Sequence, residues 1–148
     1  MMRNLTILAL AGLSLSWGQA ASAQSLDIEG TWFTKDNEAK VEVSDCGDGT
    51  PCGKLVWFDP NLGGDNRDMN NPDPELQGRP LLNTAVFWGF ERSKNKWKSG
   101  KIYDAQSGKT YKSKLELQDD GTLKVKGCVG PICQGQTWVK VPDEVTPE

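Results

Sequence analysis

Lys109-Thr110-Tyr111-Lys112-Ser113-Lys114-Leu115-Glu116-Leu117 is followed by the turn Gln118-Asp119-Asp120-Gly121-Thr122 and by Leu123-Lys124-Val125-Lys126-Gly127. Tyr111, Ser113, Leu115 and Leu117 fall on one side of an extended chain. Lys112, Lys114 and Glu116 fall on the other. A period of two with charges on one face is the mark of a half-buried strand, and Asp-Gly between two such runs reads as a hairpin turn. The same alternation recurs at Val41 and Val43, at Leu55 and Trp57, at Leu123 and Val125, and at Val139 and Val141. Gly47-Asp48-Gly49, Asn61 to Gly64 and Ser107-Gly108 supply further turns.

The pattern predicts about eight strands, near residues 29–34, 39–44, 53–58, 84–91, 96–103, 109–117, 121–127 and 136–141. No amphipathic helix longer than two turns is apparent. Residues 59–80 break the rhythm as a long polar loop carrying Pro60, Pro72, Pro74 and Pro80, a length that usually signals function or mobility. Eight short antiparallel strands favour an all-β up-and-down barrel over an open sheet, because closure removes exposed edges. A two-sheet sandwich is the structural competitor. An eight-stranded barrel is just wide enough for packed side chains or one small ligand.

Of the 148 residues, the first 23 read as a leader: Arg3, an apolar run from Leu5 to Trp17, and Ala21-Ser22-Ala23 as a cleavage site. No cysteine follows that site, so no lipid anchor is expected there, and the chain is not expected to be an integral membrane protein. One barrel domain over residues 24–141 and an acidic tail over 142–148 remain. The expected location is the periplasm or the exterior. Cys46, Cys52, Cys128 and Cys133 form two close pairs behind the leader. Three connectivities are formally open, and the Gly and Pro residues within each pair favour the two local bridges. The spacings suit neither a zinc site nor a redox Cys-x-x-Cys.

The chain contains no histidine. That excludes Ser-His-Asp and Cys-His catalysis and histidine-ligated metals. Gly108-Lys109-Thr110 lacks both the upstream glycine and the following helix of a phosphate loop, and reads instead as a turn entering a strand. Asp59 to Asn70 begins like a calcium loop, but Asn70 stands where the bidentate Glu is needed. No metal and no cofactor are therefore expected. Catalysis would have to rest on carboxylates such as Asp104 or Glu91, on a tyrosine or on a lysine, and no acid pair emerges from the spacing.

Residues 24–91 hold 13 acidic and 5 basic side chains, and residues 92–148 hold 7 and 11. Export and net acidity argue against a nucleic-acid partner. Five tryptophans remain after the leader: Trp32, Trp57, Trp88, Trp97 and Trp138. Trp32 and Trp57 are expected inside the barrel, while Trp97, between two lysines, is expected to be partly exposed. The expected cavity lining is Trp32, Trp57, Tyr111, Leu115 and Val125, with the 59–80 loop near an open end.

Gly30-Thr31-Trp32 resembles the Gly-x-Trp opening of lipocalin and avidin-type barrels. There an Arg of the last strand commonly covers the Trp, and Lys140 stands at the comparable place here. A more extensive resemblance runs through "GTWFT" (30–34), "CGKLVW" (52–57), "DNRDMNNPDPELQGRPLL" (65–82), "KWKSGKIYDAQSGKTY" (96–111) and "GTLKVKGCVGPICQGQTW" (121–138). In order and spacing these segments resemble the secreted bacterial family called domain of unknown function 2147. Asn83 stands where that family has a Gly. The resemblance implies an exported, calycin-like barrel and no particular reaction. The leading expectation is a binding protein for a small apolar or amphipathic molecule. The alternative is an envelope interaction module whose lysine-rich outer face and Trp97 contact cell wall, lipopolysaccharide or a protein. An enzyme using carboxylates is the third reading.

Overall fold

The computed structural model describes residues 27–143. The expected leader Met1–Ala23 and residues 144–148 of the expected tail lie outside the described residues. Nine strands follow in order: β1 (Gly30–Phe33), β2 (Ala39–Asp45), β3 (Pro51–Phe58), β4 (Ala85–Trp88), β5 (Glu91–Ser93), β6 (Lys96–Asp104), β7 (Lys109–Leu117), β8 (Leu123–Val129) and β9 (Ile132–Lys140). All pairings are antiparallel, in the order β4-β3-β2-β1-β9-β8-β7-β6-β5, and β4 pairs back onto β6. That last pairing closes the ring and makes the molecule a barrel, not a sandwich.

β4 and β5 are two arms of one bent strand. Both pair with β6, through Phe87↔Ile102 and through Arg92↔Trp97. The bend falls at Gly89, whose φ of +74° suits a residue without a Cβ. The ring thus has eight members, and the single strand expected over 84–91 corresponds to this pair. Tight turns connect most neighbours. Two of them share the sequence Asp-Gly-Thr, at Asp48-Gly49-Thr50 and Asp120-Gly121-Thr122. In each, the Asp Oδ1 accepts bonds from the Thr hydroxyl at 2.6 Å and from the Thr N–H. The Thr hydroxyl bond is the main cause holding both carboxyls below their ordinary pKa. Both expected local disulfides are present, Cys46–Cys52 across the β2–β3 turn and Cys128–Cys133 across the β8–β9 turn.

The core fills one half of the barrel. Trp32, Val41, Val43, Phe87, Phe90, Trp97, Leu115, Leu123, Val125 and Trp138 are buried together. Phe87 and Phe90 meet edge to face at 5.5 Å between centroids, a favoured aromatic geometry. Trp32 closes this end. Its Nε1 donates to the Ile28 carbonyl at 2.9 Å, and the Lys140 ammonium lies 5.5 Å from its ring centroid. Lys140 also donates to the Glu29 carbonyl, so one side chain covers the indole and ties the first strand to the last.

Two expectations about tryptophan fail for one reason. Trp57 was expected inside in line with Leu55, yet it is 37% exposed. Between the pairs Lys40↔Trp57 and Val41↔Leu55, Val56 is an extra residue. A bulge of one residue reverses the side to which every later side chain points. Trp57 therefore joins Phe33 and Lys40 on the outer surface, with the Lys40 ammonium near both rings. Trp97 was expected to be partly exposed and is buried instead. The register shift between Trp97↔Leu115 and Gly100↔Ser113 turns it inward beside Leu115.

Candidate functional site

The other half of the barrel is open. β1 ends at Phe33 and pairs with β9 only at Trp32↔Lys140 and Phe33↔Val139. The first part of β9 consequently pairs with β8 alone, and a 3-10 turn at Lys35–Asn37 lies across from it. The space left is a cavity of about 670 Å³, within the range usual for small-molecule sites. Val86, Ile102, Val125 and Trp138 supply its apolar wall. Tyr111 and the side-chain-free Gly127 supply its flank, and Lys35, Asp104, Gln134, Gln136, Val129 and Ile132 reach its remaining surface.

Local sequence explains the division. Gly127 is in register with Ser113 on one side and Gln134 on the other. An added Cβ there would lie 3.6 Å from Ile102 and 3.8 Å from Tyr111, ordinary contact distances, so a side chain at this position would enter the cavity without a clash. Ser113, also small, buries its hydroxyl without a hydrogen-bond partner among the described residues. Trp138 donates its indole N–H to Gln136 Oε1 at 3.1 Å, which carries the apolar wall into a polar stretch of the same strand.

A buried carboxylate organises the rim. Asp68, in the long loop, is fully buried and accepts three side-chain bonds: Tyr103 O–H at 2.6 Å, Asn71 Nδ2 at 2.8 Å and Arg79 Nε at 2.9 Å. Burial on its own would raise the Asp68 pKa, but these three bonds and the Arg79 charge outweigh it and hold the carboxyl low. Burial and the facing carboxylate push Tyr103 the other way, to about 12. The loop also bonds to itself, Asp68 N–H to Arg79 carbonyl and Gly78 N–H to Asp68 carbonyl, both at 2.9 Å. It meets the β6–β7 turn where Asn70 Nδ2 donates to the Gln106 carbonyl at 2.8 Å. Gly108 makes that approach possible, since a Cβ there would overlap the Asn70 carbonyl. The segment read as a poor phosphate loop is thus a hairpin turn against which the loop packs. The segment read as a poor calcium loop spends Asp68 on Tyr103, Asn71 and Arg79. Its first residue, Asp59, caps the 3-10 turn Pro60–Leu62 by accepting from Asn61 N–H.

Of the five lining residues expected, Tyr111 and Val125 line the cavity. Leu115 and Trp32 lie in the packed half, and Trp57 is outside. Ile102, Val86, Trp138, Gln134, Gln136 and Lys35 were not foreseen as lining, nor was the Asp68–Tyr103–Arg79 group. Their contacts join residues 11 to 35 positions apart, and no local spacing announces them.

A closed antiparallel barrel with a Gly-x-Trp first strand, one packed half and one open half defines a lipocalin-like fold. The chain belongs to the family described as "Uncharacterized protein conserved in bacteria (DUF2147)", matched over residues 30–140. Among solved structures, a similar one is Protein HP1028 from the human pathogen Helicobacter pylori, described as belonging to the lipocalin family. It matches with a TM-score of 0.70 and 21% identity, over 81% of this chain and 86% of that one. No curated protein matches the chain by sequence. Among the described residues no helix is long and apolar enough to cross a membrane.

Proposed function

We propose that this is an exported bacterial envelope protein that holds a small apolar or amphipathic molecule in the open half of its barrel. The mature chain would begin at Gln24 as one domain to residue 141. The observation that carries the binding reading is the 670 Å³ cavity itself, lined by both apolar and polar side chains. An apolar tail would lie against Val86, Ile102, Val125 and Trp138. Asp104 already accepts bonds from Gln106 N–H and Ser107 Oγ. Gln134, the amide NH2 of Gln136, whose Oε1 takes the Trp138 indole N–H, and the exposed Lys35, whose ammonium lies 3.6 Å from Asp36, would then meet a polar head. The paired cysteines are what an oxidising compartment permits, which supports export.

Native mass spectrometry of the full-length gene product, recovered from the periplasm of an expressing bacterium, tests both parts. The expected spectrum shows the chain beginning at Gln24 with a non-covalent adduct of small-molecule mass. An uncleaved chain would contradict export. An adduct-free spectrum that stays so after incubation with lipid extract would contradict binding.

A further inference from the structure

The β8–β9 turn projects Val129 and Ile132, 66% and 71% exposed, the most exposed of the large hydrophobic side chains among the described residues. They face each other in register around Gly130-Pro131 on the cavity side of the hairpin, and the Cys128–Cys133 bridge, one residue further from the tip on each strand, lies on its outer side with Lys112. The bridge ties the two strands together one residue before the tip, and both side chains lie at the edge of the cavity, largely open to solvent. Two adjacent apolar side chains this exposed gain most where a partner surface covers them.

The neighbouring outer face is basic. Lys98, Lys112 and Lys114 line a shallow pocket of about 250 Å³ whose other walls are Ser99, Ser113, the bridge and the Gly130-Pro131 tip. Lys101 stands opposite Lys112, and Lys114 opposite Lys126. Like charges directly opposed across strands are destabilising. Of these five lysines, only Lys126 meets a carboxylate among the described residues, Glu116 at 3.9 Å. A chain of net charge −3 thus concentrates unpaired positive charge beside its most exposed apolar tip.

We propose that the β8–β9 tip and the adjoining lysine face dock on the surface of an anionic lipid bilayer. Lipid phosphates would meet Lys98, Lys112 and Lys114, while Val129 and Ile132 enter the headgroup region. A hydrated acidic polysaccharide would use the lysines but gain nothing from the apolar tip, so the pairing of the two favours lipid. Val129 and Ile132 also line the cavity, and docking would turn its mouth toward the bilayer. The docking itself needs no ligand in the cavity, so it stands or falls separately from the binding proposal.

Sedimentation of the mature protein with phosphatidylcholine vesicles, with or without about 30% phosphatidylglycerol, tests this. Binding is expected to the anionic vesicles alone, and to weaken as salt is raised. Lys98→Glu/Lys112→Glu/Lys114→Glu should weaken it by about tenfold or more. Val129→Ser/Ile132→Ser should weaken it by about tenfold with every lysine intact. All five positions are solvent-facing, and unchanged melting curves will show that the variants fold; Lys112→Gln/Lys114→Gln gives an intermediate loss with the lysine stems' shape kept. Absence of vesicle binding at low salt would overturn the proposal. So would vesicle binding indifferent to the Val129/Ile132 pair alongside equally tight retention on dextran sulfate, which would assign the lysines to a soluble polyanion.

Discussion

Asp68 is the residue on which the rim depends. A charged group with no solvent access survives only where its oxygens are occupied, and Tyr103, Asn71 and Arg79 occupy them. Asp68→Ala leaves all three donors without their acceptor and should cost about 3 kcal/mol in denaturant unfolding. Tyr103→Phe, which removes one bond to a charged acceptor, should cost about 1.5 kcal/mol. The pH dependence follows from the direction of each shift. Asp68 binds its proton less tightly in the folded state, so its contribution is present above the ordinary carboxyl pKa of 3.8 and is lost as pH falls through the lower folded value. Tyr103 binds its proton more tightly when folded, so its contribution holds below pH 10 and is lost as pH rises toward about 12. A phenolate absorbance titration should contain a late step near pH 12 that disappears in Tyr103→Phe; identical titrations would contradict this. None of it was legible in the chain, where Asp68 is one acid in a polar loop. The Gly-x-Trp signal was legible, because Trp32 and Lys140 answer to a strand start and a strand end. Asn83 is also accounted for: its φ of +68° is one that Asn tolerates nearly as Gly does.

At the level of elements, alternation located the strands because each has one wet and one buried face. β7 and β8 follow the opening sequence residue for residue, with Leu117↔Leu123 and Leu115↔Val125 meeting across the Asp-Gly turn. The bulges were illegible. An extra residue at Val56 or a shift before Gly100 leaves composition untouched and reverses which side chains point inward, which is how Trp57 and Trp97 exchanged their expected places. The disulfides belong to this scale as well. Each closes a loop of five or six residues of chain separation. Such short closures restrict the unfolded chain little, so Cys128→Ser/Cys133→Ser should lower stability by only about 2 kcal/mol. Its larger effect should fall on the tip, seen as faster amide exchange at Val129 and Ile132. A loss of the whole fold would contradict the view that the barrel, and not the bridge, holds the strands.

On the scale of the molecule, eight short antiparallel strands favoured closure over an open sheet or a sandwich, and the pairing of β4 with β6 completes the ring. Which half of the barrel would be filled was not written in any one segment. It depends on β1 stopping at Phe33, on the aromatic side chains meeting at the Trp32 end, and on glycine at position 127 at the other. The open half is proposed as a binding site and not merely unfilled space. Gly127 is the place to test it, since a larger side chain there would project into the cavity without meeting backbone. The decisive measurement is a fluorescence titration of the delipidated mature protein with the apolar probe N-phenyl-1-naphthylamine, wild type against Gly127→Leu. Saturable one-to-one binding to the wild type is expected, weakened by about tenfold in the variant at unchanged melting temperature. Non-saturable binding, or equal affinity in the two proteins, would contradict it.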